Sequence, residues 1–165
     1  TQGVSSAASD VYKRQTLLPT TLTASFDNTI NAVDGIDDFI DQNNNFYIYI
    51  SSLARHTGNM LDDGRAGIML IEDEEEAENI FARRRVTFEC NVELLERETE
   101  DWRRIMLLFD QREPELMETL RRLMDFQLLR LRAKSGLFVK GFGKTYKISG
   151  ARMDELSHVN PRKQN

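Results

Sequence analysis

FYIYISSLARHTGNMLDDGRAGIMLIEDEEEAENIFARRRVTFECNV, residues 46–92, is the stretch on which the fold turns. Its first five residues are aromatic or β-branched, the composition of a strand. Two hydroxyls, Ser51 and Ser52, follow, then the basic pair Arg55 and His56 in a short helical turn. A second apolar strand spans residues 66–71 and stops at an acidic run. An amphipathic segment at 77–82 leads into Arg83, Arg84 and Arg85. Beyond them Val86, Phe88, Cys90 and Val92 alternate with polar residues, so one face of a long strand is apolar. Two strand ends therefore carry cations. A small sheet with positive charge at its edges is a cradle for an anionic ligand.

Upstream, residues 1–15 are polar and without period, and read as a non-native or disordered leader. Residues 16–23 (TLLPTTLT) form a first strand, with Pro19 at an edge or bulge. Residues 25–42 are acidic and poor in strand formers, with room for one short strand near 29–33. Residues 42–45 turn into the Phe46 strand.

Downstream, Thr99 caps a helix whose apolar stripe is Trp102, Ile105, Met106 and Phe109. Pro114 opens a second helix, with Leu116, Met117, Leu120, Leu123 and Met124 as its buried stripe. Two strands, 126–132 and 137–148, are joined by a turn at 133–136. Gly141 and Gly143 inside the second mark a bulge or bend. A short helix at 152–157 ends in a polar tail. Strands, two helices, then strands make a mainly β protein, a small barrel with a helical pair on its flank. The domain spans 16–150, and residues 151–165 are a C-terminal helix and tail.

Composition narrows the function classes. A chain of 165 residues is one domain with a real core. The net charge of −5 argues against nucleic acid as the main partner. The absence of a long apolar run argues against a membrane span, and the absence of export features suggests a cytoplasmic protein. A single cysteine, Cys90, leaves no internal disulfide and no multi-cysteine metal site; it reads as buried and inert. There is no Gly-rich phosphate loop, G-x-S-x-G or H-E-x-x-H.

The candidate residues each carry two readings. Arg55 and His56 make either an anion site, with backbone N–H groups of residues 53–56 beside the guanidinium, or a solvated corner. Alternation sends Arg84 opposite to Arg83 and Arg85. Arg84 then pairs with the acidic residues at 74–78, and one of the outer two is free for a carboxylate or phosphate. Asp125, between the helices and the next strand, orients a histidine or water, or is a turn residue. His56 and His158 are the only histidines, each able to ligate iron or shuttle a proton.

Taken together, ARHTGNM (54–60), IMLIEDE (68–74), NIFARRRVTF (79–88), MDFQLLRL (124–131) and GLFVKGFGKTYKISG (136–150) resemble the HugZ/HutZ heme-utilisation family. That family belongs to the pyridoxamine 5'-phosphate oxidase-like, FMN-binding split barrels. The resemblance covers roughly residues 45–158. It implies a six-stranded antiparallel split β-barrel that forms a homodimer. It implies heme bound near the subunit interface and opened by oxygen chemistry to release iron, with an electron donor the sequence does not identify. By motif, Arg85 lies near the heme propionates, His56 at the protomer interface, and Asp125 hydrogen-bonds the histidine that ligates iron. The family tail carries a Gly-His pair that is missing here, which leaves His158, about one turn earlier, as the ligand. Two other readings stay open. One is an FMN-binding oxidoreductase, with the flavin phosphate on Arg55 and Ser51 or Ser52. The other is a non-catalytic heme carrier.

Overall fold

The structure is a computed structural model that describes residues 21–26, 29–34, 39–40, 45–72, 74, 77–151 and 153–159; before residue 45 only the strand path is described. Along the chain come β1 (Thr21–Phe26), β2 (Thr29–Asp34), β3 (Phe39–Ile40), β4 (Asn45–Ser51), α1 (Arg55–Asp63), β5 (Arg65–Ile71) and a 3-10 turn (Ile80–Ala82). Then follow β6 (Arg85–Leu95), α2 (Glu100–Arg112), α3 (Pro114–Leu120), β7 (Phe126–Gly141), β8 (Lys144–Ser149) and β9 (Glu155–His158). Every pairing is antiparallel, in the order β2-β1-β5-β6-β7-β4-β3, with β8 on β7 and β9 on β8. The mainly β class with a flanking helical pair holds. Six strands, β1 and β4 to β8, form the body, and β2, β3 and β9 extend it.

β7 explains the split. One of its edges pairs with β6 along most of its length. The other pairs with β4 over residues 126–132 and with β8 over 136–141. Between them the sheet forks. At the fork Glu89 opposes Ser135 while Cys90 opposes Ala133, so Lys134 is one residue too many. This β-bulge inverts the phase of β7. Leu129 and Leu131 point into the barrel before it, and Phe138 after it.

Two apolar layers follow from strict alternation on β4. Phe46, Ile48 and Ile50 join Ile68, Val86, Phe88 and Leu129 inside the barrel. Tyr47 and Tyr49 face the other way, against Trp102, Ile105, Met106 and Phe109 of α2 and Met117 and Leu120 of α3. Each such side chain fully withdrawn from water stabilises the fold by roughly 1.5–3 kcal/mol. Thr99 caps α2 by accepting the Trp102 N–H at 3.3 Å. Arg130, 8% exposed, ties β7 to α2 through Asp101 at 2.5 Å. Gly136 is required by packing: a Cβ there would stand 2.9 Å from Cδ1 of Phe88 and 3.2 Å from Ile148. Among the described residues no helix is long and apolar enough to cross a membrane.

Several expectations are corrected. No turn exists at 133–136; the bulge breaks the alternation there and imitates one. The hairpin turn comes at Phe142 and Gly143, where Gly143 takes a left-handed φ of 68°. In the segment expected as a helix at 152–157, residues 155–157 pair instead as part of β9, and residue 152 lies outside the described residues. The second helix ends at Leu120, so Leu116, Leu123 and Met124 are exposed rather than buried. The strand expected near 29–33 forms as β2, and the first strand as β1. The leader at 1–15, residues 16–20 and the turn at 42–44 lie outside the described residues.

Cys90 is buried, and burial pushes its thiol up to about 12. At pH 8 the folded protein should therefore resist iodoacetamide, while protein unfolded in urea should be alkylated within minutes, as read by mass spectrometry. Fast labelling of the folded chain would contradict this packing of β6.

Candidate functional site

The β4–β7 register brings one set of candidates together. Ser51 ends β4 and pairs with Phe126, which draws Asp125 alongside. The Ser51 hydroxyl donates to Asp125 Oδ2 at 2.5 Å and accepts the Leu53 N–H at 3.1 Å. The Ser52 N–H donates to the Asp125 carbonyl at 2.7 Å. The Thr57 hydroxyl donates to the Ser51 carbonyl at 2.7 Å and ties α1 to the same corner. Asp125 is thus more than a turn residue: its side chain and its main chain both join β4 to β7.

Arg97 completes this corner, and sequence reasoning missed it. Its Nη2 donates to the Leu123 carbonyl at 2.7 Å, the Phe126 carbonyl at 2.9 Å and the Tyr49 hydroxyl at 3.1 Å. The available signal was that Arg97 is the only basic residue in the acidic run 93–101.

Arg55 and His56 open α1. Arg55 is exposed and His56 half-buried. Burial pushes the His56 imidazole below its ordinary value, so it is neutral at pH 7. Part of the corner's hydrogen-bonding capacity is used within the chain. The Ser51 hydroxyl is engaged by Asp125, the Leu53 N–H by Ser51, and the Ala54 N–H by the Ser51 carbonyl at 3.2 Å.

The three arginines stand at the other end of the sheet and differ in their company. Arg83 donates to the Glu72 carbonyl at 2.5 Å and to Glu74 Oε1 at 2.9 Å. Arg84 binds the Glu72 carboxylate with its guanidinium and with its backbone N–H. Burial raises the Glu72 carboxyl, but the Arg84 bonds outweigh it and hold it below the usual carboxylate range. Arg84 is therefore paired, as expected, with Glu72 as a partner from just before the acidic run. Arg83 is paired too, which removes it as a free cation. Arg85 is half-buried and, among the described residues, reaches the Arg83 carbonyl, at 3.4 Å. Among the described residues it meets no carboxylate.

His158 ends β9 opposite Tyr146, with ring centroids 5.2 Å apart and edge on. It is exposed. Register sets its face: His158 aligns with Tyr146, Phe138 and Val86, on the barrel side. Arg85 aligns with Val139, on the opposite face. The two share an end of the sheet but not a side.

The two ends are far apart in one chain. Asp125 precedes Phe126, while Arg85 sits beside Val139. At about 3.3 Å per residue, roughly 40 Å of strand lies between them. No described contact joins Asp125 to Arg85 or His158. A cavity of about 260 Å³ lies at the bulge, lined by Arg65, Glu89, Asn91 and Lys134 among others, and includes none of the candidates. No group of three or more potential metal ligands occurs among the described residues.

No protein-family model matches the chain. The heme oxygenase HutZ of Vibrio cholerae is 38% identical over 121 residues, 73% of this chain and 69% of that protein. A crystal structure of HutZ from Vibrio cholerae, described as a heme storage protein, superposes with a TM-score of 0.67 at 28% identity, covering 78% of this chain and 88% of that one. Campylobacter jejuni ChuZ superposes with a TM-score of 0.75 at 29% identity, covering 99% of this chain and 66% of that one. A putative pyridoxamine 5'-phosphate oxidase from Listeria innocua shares the fold, with a TM-score of 0.57 at 9% identity over 84% of this chain and 99% of that one. The forked antiparallel sheet is a fold shared with the pyridoxamine 5'-phosphate oxidase-like protein, and the sequence goes further: this chain belongs to the family of the heme oxygenase HutZ.

Proposed function

We propose that this chain binds heme and serves iron acquisition by opening the ring oxidatively. One observation carries the reading. Of three consecutive arginines two are neutralised by glutamates, and Arg85 alone is half-buried with no carboxylate among the described residues. A guanidinium so placed fits a heme propionate, which takes a forked donor. When bound, heme supplies the redox-active iron and the ring to be cut. The chain's own residues grip and orient it: Arg85 at the propionates, the exposed His158 imidazole towards iron, and Asp125 as acceptor for that imidazole's other N–H. Neutral His56 stands at the subunit boundary. The electron donor is a separate partner.

The separation along β7 supports a homodimer. Asp125 and Arg85 reach one ligand only if two chains lie head to tail, so that the start of one β7 meets the end of the other. The flavin reading draws less support, because the Ser51 hydroxyl that would hold the phosphate is bonded to Asp125.

Hemin titration of wild type, Arg85→Ala and Arg84→Ala tests this. Loss of a charge-assisted contact of about 1.5–3 kcal/mol weakens Arg85→Ala by roughly 10- to 150-fold. Arg84→Ala stays within about threefold of wild type. Equal affinities for all three proteins would remove the heme reading. Adding a reductant under oxygen then separates an enzyme, whose Soret band decays, from a carrier, whose band persists.

A further inference from the structure

The segment between α3 and β7 presents Asp125, yet apolar packing does little to hold it. Leu123 is 40% exposed and Met124 80% exposed. The helix before it has already ended at Leu120. Polar contacts must therefore fix the segment. At its start Arg121 pairs with Asp110, and the Leu123 N–H donates to the Leu120 carbonyl at 3.1 Å. Around Asp125 the contacts fall into two groups. Ser51 and Ser52 hold Asp125 itself, through its carboxylate and its carbonyl. Arg97 holds the residues on either side, taking the Leu123 carbonyl before Asp125 and the Phe126 carbonyl after it.

Arg97 is itself anchored. The same Nη2 reaches the hydroxyl of Tyr49, which is fully buried in the layer between β4 and the helices, with its ring 5.4 Å from that of Phe126. Nη2 carries two hydrogens, so one of them is shared between two of these three oxygens; an apolar side chain of similar length could fill this space but would donate to none of them. Hydrogen bonds from a charged donor are about twice as strong as neutral ones, so one guanidinium nitrogen can fix a short loop.

We propose that Arg97 is the positioning residue of Asp125, clamping the carbonyls on both sides so that the carboxylate faces Ser51 and the ligand side of the corner. The inference rests on the heme reading for what Asp125 then does, but the clamp itself is a property of the ligand-free chain. Its failure can therefore be seen separately.

The test uses Arg97→Met and the charge-keeping Arg97→Lys, with folding checked by circular dichroism. The first readout is amide exchange in the protein without hemin. The Ser52 N–H, bonded to the Asp125 carbonyl, should exchange at least about tenfold faster in Arg97→Met, with Arg97→Lys between it and wild type. Amides at the centre of β7 should not change. The second readout is hemin affinity in a cycle with Asp125→Asn. Arg97→Met and the double variant should match Asp125→Asn within about threefold, because one residue acts through the other. Unchanged Ser52 exchange overturns the clamp. Additive losses in hemin affinity overturn the claim that Arg97 acts through Asp125. Faster Ser52 exchange with hemin affinity untouched in every variant upholds the clamp and removes the heme reading.

Discussion

Mixing Asp125→Asn subunits with Arg85→Ala subunits is expected to restore hemin sites that neither variant possesses alone. The reason is the length of β7: Asp125 immediately precedes its first residue, and Arg85, on β6, pairs with Val139 near its far end. In a head-to-tail dimer each site takes Asp125 from one chain and Arg85 from the other. A dimer of either variant alone has a lesion in both sites. In a mixed dimer both lesions fall on the same site, and the second site is intact. Random pairing makes half the dimers mixed, so about a quarter of the wild-type number of tight sites should return. Hemin titration after joint unfolding and refolding counts them, and a mass tag on one variant verifies exchange. Proven exchange without recovered sites would mean that each site is complete within one chain.

The second large effect concerns stability. Phe138→Ala should cost about 3–5 kcal/mol, moving the urea midpoint down by about 2 M for a slope near 2 kcal/mol/M. Phe138 is fully buried in the barrel layer and stacks on Tyr146 at 6.3 Å. Its neighbour Leu137 is 41% exposed and sits in the opposite phase. Leu137→Ala should cost under about 1 kcal/mol. Equal costs would show that β7 does not change phase at Lys134. The row through Phe138 runs on to Tyr146 and His158, so the same variant should also loosen the proposed iron ligand.

Much of this was readable where the information is local. Strand β4 follows from its aromatic and β-branched residues, β5 from its apolar run, β6 from its alternation, and α2 from its Thr99 cap and apolar stripe. The reading failed where pairing across the sheet overrides local pattern. The extra residue Lys134 interrupts the alternation of β7, and an interrupted alternation looks like a turn. β9 is four residues long and exists because β8 offers it an edge. The site divides in the same way. Alternation set Arg84 apart from Arg83 and Arg85, yet the strand begins only at Arg85, and Arg83 and Arg84 turn to Glu72 and Glu74, whose position depends on how the chain folds back. Ser51 and Asp125 lie 74 residues apart, and only strand register joins them. Arg97 carries no motif, because its partners are two carbonyls and a phenol.

The fork in β7 also sets an order of departure. β8 hangs from a handful of residues beyond the bulge, and among the described residues β9 pairs with β8 alone and adds only Leu156 to the barrel layer, whereas β4 is clasped between two oily sheaths. Warming or a protease will peel the outer pair of strands first. A nicked molecule then keeps Asp125 on its rigid half and forfeits His158 with the half that leaves.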